Sequence, residues 1–441
     1  MSSWKQVRFS EICDITRGGS PRPIQEYMTN DGVPWIKISD ATASNSRFIE
    51  KTKEFIKTSG ISKSREVFPD DLILSNSATP GIPKFMRIYA CIHDGWLLLR
   101  NFNGAEKEFI YWLLLNERDK LIQQGNGSVF TNLKTDILKN HIVNIPDDIE
   151  EQKRIATILN NIQEKIELNT QINQTLEQIA QTIFKSWFID FDPVHAKANA
   201  LASGQTLEQA TQAAMAVISG KNTQELHRLQ TANPEQYQQL WEIADAFPSG
   251  VDEEGVPWGW ESKKVGEVAK IVKGKKPKLI SSEPDDGFLP HILMASLSGK
   301  YTEYAQIDKS IVCDIFDTLI LMDGAASGKI AIGHKGVIGS TFAKMELSEN
   351  KYWALFNLFM FSKEQDIQAN TTGTSIPHTD KARVLDYEII VPCDVVLNYF
   401  TEMYKNILCS ILNQRKNSFI LENIRDLLLP KLLSGEILNG N

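Results

Sequence analysis

Between Glu150 and Phe188, ten positions recur at alternating spacings of four and three residues: Ile155, Leu159, Ile162, Ile166, Asn169, Asn173, Leu176, Ala180, Ile183 and Trp187. That spacing is the seam of a coiled coil. No Gly or Pro interrupts the stretch, so it predicts a helical rod of roughly 58 Å at about 1.5 Å per residue. Adding 245 to each number gives Phe400, Tyr404, Ile407, Ile411, Gln414, Ser418, Leu421, Arg425, Leu428 and Leu432, a second seam with identical spacing. Both seams are apolar toward the ends and polar at the centre. Laid antiparallel, the polar layers coincide, as buried polar positions that fix register should. Two unrelated core helices would account for the apolar period but not for the matched polar interruption. The pattern therefore predicts two rods that pair with each other.

The stretches preceding the two rods are copies of each other. With no gap, Trp4, Glu11, Ile15, Gly18, Pro21 and Pro34 find the same residue type 256 positions on, at Trp260, Glu267, Ile271, Gly274, Pro277 and Pro290. Leu72-Ile73-Leu74 matches Leu319-Ile320-Leu321, Ala78 and Gly81 match Ala325 and Gly328, and Gly127 and Pro146 fall on Gly373 and Pro392. Duplication on this scale sets the organisation of the chain. Within the copies, short β-branched runs bounded by turn residues predict strands at Trp35 to Ile38, Leu72 to Leu74, Ile142 to Ile145 and Ile389 to Val391. Phe109 to Leu121 and Tyr352 to Phe361 predict helices, so each copy is a mixed α+β domain. The expected order is globular copy 1–149, rod 150–193, connector 194–255, globular copy 256–393 and rod 394–441. The connector is rich in Ala and Gln and predicts helix starts at Thr206, Asn222 and Asn233-Pro234. A helical segment that spans the distance or docks on a partner is expected there.

Length supports this division, because 441 residues exceed a single core and the 42% apolar content fills two or three. No apolar run approaches the ~18 residues of a membrane span, and Met1-Ser2-Ser3-Trp4 opens no signal peptide. A soluble cytoplasmic protein with no membrane partner is expected. Cys13, Cys91, Cys313, Cys393 and Cys409 are scattered, which predicts buried thiols in place of a zinc site or disulfide framework. The net charge of −8 argues weakly against nucleic acid. Its distribution softens the objection: residues 194–255 carry 3 basic against 8 acidic side chains, whereas residues 1–150 are balanced at 19 each.

No catalytic site emerges. Gly324-Ala-Ala-Ser-Gly328-Lys329 has one residue too few between its glycines for a phosphate loop, and Ile330 stands where a magnesium-binding Ser or Thr belongs. Pro69-Asp70-Asp71 has no following Glu-x-Lys and is read as a turn before a strand. Gly-rich cofactor loops, the Asn-Pro-Pro-aromatic methylation motif, H-E-x-x-H and G-x-S-x-G are all missing from the sequence. What remains is polar loops at matching places in the two copies. The first copy offers Arg17, Arg22, Lys37, Asn76, Lys84, Asn126, Ser128, Asn132 and Lys134. The second offers Lys273, Lys275, Lys276, Lys278, Lys329, Thr374, Ser375, His378 and Lys381. These side-chain types hold phosphates and read base edges, and their repetition is the signal for DNA binding.

The order of these parts resembles the specificity (S) subunit of type I restriction-modification systems over essentially the whole chain. The resemblance rests on Trp4 to Gly18 and its echo Trp260 to Gly274, on Glu150-Glu151-Gln152-Lys153-Arg154-Ile155 opening the first rod, on Phe184 to Pro193 closing it, and on Lys431 to Ile437 closing the second. The second rod lacks the Glu-Glu-Gln opening, and Asp70 and Phe316 stand where the family pattern has Gly. The resemblance implies two repeated α/β target-recognition domains joined by two long antiparallel coiled-coil helices. Each domain would read one half of a bipartite, asymmetric site on double-stranded DNA, with half-sites about one helical turn, ~34–36 Å, apart. It further implies that two methylation subunits carrying S-adenosyl-methionine dock on the helices, that restriction subunits join to translocate and cut, and that this chain is itself non-catalytic and binds neither cofactor nor metal. The rival expectations are a free-standing methyltransferase or nuclease with its own recognition domains, and a coiled-coil scaffold unrelated to DNA.

Overall fold

Two helices of 40 residues each, Ile149–Phe188 and Asp394–Leu433, correspond to the two rods. The structure, a computed structural model, describes residues 3–43, 46–124, 132–373 and 376–436. The chain packs as two compact units, Met1–Asn169 with Ile420–Asn441, and Thr170–Phe419. Each unit thus holds one copy of the repeat and a half of each long helix, so the edges of packing differ from the sequence-based segments.

In the first unit, Ile155 and Leu159 of the first helix share a core with Leu432 and Leu433 of the second, flanked by Leu428. Closer to the middle of the helices, Arg425 Nη1 donates to Gln163 Oε1 at 2.6 Å. In the second unit, Arg415 Nη2 donates to Glu177 Oε1 at 3.0 Å, and further along Phe188 meets Phe400 edge to face at 4.8 Å. In each unit the numbers rise on one helix as they fall on the other, which is antiparallel pairing. Every position of both seams is at least half-buried, including Ile162, Ile166, Leu176, Ile183 and Trp187 on the first helix and Tyr404, Ile407, Ile411 and Leu421 on the second. The polar seam positions Asn169 and Asn173 are buried as well.

The motifs that open and close the first rod are structural. Gln152 is fully buried at the start of the first helix, where its Oε1 accepts from Glu106 N at 2.7 Å and its Nε2 donates to Pro146 O at 2.8 Å. The side chain thereby ties the rod to the end of the strand Ile142–Pro146 and to the start of the helix Lys107–Gln124. At the other end, Phe184, Trp187, Phe188 and Phe191 join Phe247, Trp260 and Phe400 in one aromatic cluster with ring centroids 4.8 to 6.3 Å apart.

The two copies match strand by strand except at Phe48–Ile49, an edge strand of the first copy with no counterpart among the described strands of the second. One five-stranded sheet of the first copy contains Val33–Ile36 beside the parallel strand Ala90–Ile92, and its counterpart sets Phe288–Ile292 beside the parallel strand Gly336–Ile338. A second sheet places Leu72–Ser75 beside Trp96–Arg100 and Asp14–Arg17 at its edge; in the other copy these are Thr318–Leu321, Phe342–Leu347 and Ala269–Lys273. Two residue pairs identical between the copies do the same job in each. Glu11 accepts from Arg8 N at 2.8 Å and Glu267 from Lys264 N at 2.6 Å, each capping a four-residue helix. A Cβ on Gly18 would lie 2.1 Å from His93 O, and one on Gly274 would lie 2.3 Å from Gly339 O. Only glycine lets the strand pass that close.

One reading of local structure needs correction. The strand expected from Trp35 to Ile38 ends at Ile36, and Ile38 opens a short helix, Ile38–Thr42. The reason is Asp40, whose Oδ2 accepts from Lys37 N at 2.8 Å and caps the helix against the apolar run. The Gly324 to Lys329 run leads into the two-residue strand Ile330–Ala331, and a phosphate loop would need a helix there. Pro69-Asp70-Asp71 is a turn ahead of the strand Leu72–Ser75, as its sequence predicts. Asp70 has φ +76°, a left-handed conformation that Gly adopts without steric cost, whereas Phe316 at the matching position of the second copy has no positive φ.

The connector folds as four helices, Asp192–Ala202, Leu207–Ser219, Thr223–Ala232 and Pro234–Ala246. Thr206, Asn222 and Asn233 are the N-caps of the last three, each accepting from the backbone N–H three residues on. Lys197 is buried and its ammonium donates to the carbonyls of Ala244, Asp245 and Phe247, closing the C-terminal end of the last helix.

Candidate nucleic-acid interface

In each copy, three loops far apart in sequence converge beside the end of one strand. In the first, that strand is Leu72–Ser75 and the residue after it is Asn76. Asn76 O accepts from Leu133 N at 2.8 Å, which fastens the loop carrying Asn132 and Lys134 to the strand end. Arg17 Nε donates to Asp94 O at 2.8 Å and Asn76 Nδ2 to the same oxygen at 3.3 Å. Arg22 approaches the Asp94 carboxylate at 3.6 Å, and Ser20 Oγ donates to it at 2.7 Å. Partial burial works against ionisation of Asp94, but hydrogen bonding from Ser20 and the nearby His93 and Arg17 hold its carboxyl below the ordinary range. His93 is shifted downward, burial outweighing the pull of Asp94, so it favours the neutral form.

In the second copy the strand is Thr318–Leu321 and the corresponding residue is Asp323. Its carboxylate takes Lys273 Nζ at 2.8 Å and His378 Nδ1 at 2.7 Å. Gly324 N donates to Pro377 O at 3.0 Å and Thr379 N to Met322 O at 2.9 Å, fixing the late loop at the strand end as in the first copy. Lys275, Lys276 and Lys278 follow Lys273 as exposed side chains around the buried Pro277. Lys134 and Lys381 are exposed at the starts of the equivalent helices Thr135–Asn140 and Lys381–Asp386.

Arg17, Arg22, Asn132, Lys134, Lys273, Lys275, Lys276, Lys278, His378 and Lys381 are therefore surface residues, and Asn76 supports them from a buried position. Three others stand elsewhere. Lys37 is half-buried, paired with Glu54 and 5.6 Å from the centre of the Trp35 ring. Lys329 lines a cavity of about 240 Å³ together with Glu177, Tyr404 and Arg415 of the long helices, away from the loop cluster. Lys84 is 4% exposed and its ammonium donates to the Ser46 carbonyl, so it holds a loop and meets no solvent. Asn126, Ser128, Thr374 and Ser375 lie outside the described residues. Sequence reasoning missed Asp94, Arg65 and Asp323. Arg65 Nε donates to Arg17 O at 3.4 Å. Of the three, only Asp323 had a signal that could have found it, the repeat register that places it 247 residues after Asn76.

Burial of Lys84 gives a pH test. Desolvation lowers its pKa to about 8 against an opposing pull from Glu167, while in the unfolded chain it returns to about 10.5. Between those values the unfolded chain binds more protons, so this lysine makes stability rise with pH. Urea melts of wild type and Lys84→Met should diverge in favour of wild type as pH climbs from about 8 to 10. Parallel pH profiles would show that Lys84 is solvated.

Among the described residues, no group of three or more His, Cys, Asp or Glu could hold a metal ion. No described helix is long and apolar enough to cross a membrane. Cys13, Cys91 and Cys313 are buried free thiols, and burial pushes the Cys13 thiol up to about 12.

The sequence matches the family model of the type I restriction modification DNA specificity domain over residues 1–178 and 257–394. It is 30% identical to the type I restriction enzyme HindI specificity subunit of Haemophilus influenzae, covering 99% of this chain and 100% of that protein. Identity to the MjaIX specificity subunit of Methanocaldococcus jannaschii is 25% over 98% of this chain and 93% of that one. Among solved structures, the S subunit of a type I restriction-modification system from M. genitalium is similar over 98% of this chain and 96% of that chain, with a TM-score of 0.55 at 13% identity, a likeness of fold.

Proposed function

The chain belongs to the family of type I restriction-modification DNA specificity subunits, and from that premise we propose that each of its two copies reads one half of a bipartite, asymmetric site on double-stranded DNA. The observation that carries this reading is the duplicated convergence: the same three loops meet at the same strand end in both copies, with cations at the surface. The clusters differ in composition, Arg17, Asn76 and Asn132 in one and Lys273, Asp323 and His378 in the other. Two readers built alike but lined differently suit two different half-sites.

The long helices would dock two methylation subunits, with restriction subunits joining that assembly. Leu168, Ile420, Ile424 and Leu427 support this, being apolar side chains 41% to 68% exposed on the outer faces of the helices in the first unit. The S-adenosyl-methionine would reside on the methylation subunits, since this sequence has no loop to hold it.

Incubating the pure chain with DNA and S-adenosyl-methionine should give no methyl transfer, and adding its methylation subunit should give adenine methylation at one bipartite sequence. Methylation by the chain alone would overturn the proposal. Because each copy is close to neutral, binding by the isolated chain should be weak and its salt dependence shallower than that of the complex. Lys275→Ala and Lys276→Ala should each weaken binding across all sequences and reduce the salt slope by about one phosphate contact. A loss confined to one sequence would move them from phosphate to base contact.

A further inference from the structure

The polar cluster of the second copy contains a chemical constraint not found among the described residues of the first. The two oxygens of Asp323 are separately engaged, Oδ2 by Lys273 Nζ at 2.8 Å and Oδ1 by His378 Nδ1 at 2.7 Å. Partial burial of Asp323 works against ionisation, but the bonds from Lys273 and His378 hold its carboxyl below the ordinary range, so it is a carboxylate. An ionised carboxylate only accepts, so Nδ1 must carry a proton. In the neutral imidazole this leaves Nε2 as an acceptor.

The ring is fixed by more than this bond. His378 and Thr372 exchange backbone hydrogen bonds at 2.7 and 2.8 Å, and His378 also forms a bridge with Asp323. Its side chain is half exposed, and among the described residues its Nε2 makes no hydrogen bond. An oriented acceptor therefore faces outward from a surface whose neighbours are cations.

We propose that His378 reads one base of the second half-site by accepting, at Nε2, a hydrogen bond from an exocyclic amine in the major groove, cytosine N4 or adenine N6, and that Asp323 is the positioning residue that sets this tautomer. These are the base edges that donate there. The inference rests on the reading of this copy as a DNA reader. Among its described residues the first copy has no such device. At the position corresponding to Asp323 it has Asn76, 4% exposed, with its amide nitrogen spent on the Asp94 carbonyl. The two half-sites are thus read by different chemistry at the same place in the fold.

The test is selection of binding sites from a DNA library randomised in both half-sites, using the full chain with its methylation subunit. For wild type, one position of the second half-site should be enriched in cytosine or adenine. In Asp323→Asn the amide can donate to Nδ1 and leave the proton on Nε2, so preference there should move toward bases that present acceptors, guanine or thymine, by roughly three- to tenfold. Asp323→Glu, which keeps an acceptor-only carboxylate, should retain the wild-type preference. His378→Ala should remove the preference without creating a new one, and it carries the test if the Asp323 variants melt at lower temperature. Lys273→Ala should weaken binding across all sequences and leave the base preference intact. In every variant the first half-site should be unchanged. If wild type selects both half-sites yet His378→Ala keeps every preference, the proposal is overturned. If His378→Ala loses the preference but a folded Asp323→Asn keeps it, the tautomer role of Asp323 is overturned. A wild-type complex that selects no sequence at all would instead overturn DNA reading by this copy, and the proposal with it.

Discussion

A chain ending at Phe419 is expected to lose the stability of the copy at its opposite end. Residues from Ile420 onward pack in the same compact unit as the first copy, where Leu432 and Leu433, 2% and 5% exposed, complete a core containing Phe9, Ile155 and Leu159. Removing one buried leucine side chain costs about 2–5 kcal/mol. Losing both, together with the half-buried Leu428 and Leu429, should cost on the order of 5 kcal/mol or more, a large part of the ~5–15 kcal/mol that holds a domain folded. Hydrogen exchange should then accelerate in the paired strands Trp4–Arg8 and Ile142–Pro146 and remain slow in Thr318–Leu321 of the other unit. Unchanged protection of the first pair would show that the C-terminal half-helix contributes nothing to that core.

Replacing Arg47 with alanine should destabilise the same unit by about 2–3 kcal/mol, because it removes a buried cation hydrogen-bonded to partly exposed carboxylates. Arg47 is 2% exposed. Its guanidinium donates to Glu108 at 3.0 Å, to Glu164 at 3.1 Å and to Asn160, while its backbone N–H donates to Glu167 at 3.2 Å. These contacts fasten a loop of the first copy to the first long helix. Burial raises the pKa of Glu108 and Arg47 is the largest pull against it, so loss of the arginine leaves desolvation opposed only by the Asn160 hydrogen bond and Lys107 and raises the pKa further. An acid whose folded pKa lies above its unfolded value binds more protons in the native state, and stability falls as pH rises through that window. The deficit of Arg47→Ala should therefore grow as pH climbs above about 4.5, and adding Glu108→Gln should recover part of it. A deficit independent of pH and of Glu108 would assign the effect to packing alone.

Much of the architecture was legible because it follows from periodicities that belong to the chain itself. The seam from Ile155 to Trp187 and its echo from Phe400 to Leu432 mark a helical face wherever the helix packs. The caps at Thr206, Asn222 and Asn233 are equally local, each side chain reaching a backbone group three residues on. The duplication could be read without knowledge of any contact, and it carried the family assignment with it.

The site was less legible, since whether a polar loop residue faces water depends on segments distant in sequence. Lys84 and Lys275 have the same chemistry, but the first lies under the loop at Ser46 and the second is exposed. Asp323 gives no sign in its own neighbourhood that it orients His378, 55 residues on, because the two meet only through the pairing of strand end and loop. The sequence alone determined the duplicated order of parts, the helices and the faces they pair by, since side-chain spacing and capping act over a few residues. Tertiary structure decided which cations stay at the surface, which are drawn inside, and that the last helix completes the core of the first copy, because those outcomes depend on burial and hydrogen bonding between residues that only folding brings together.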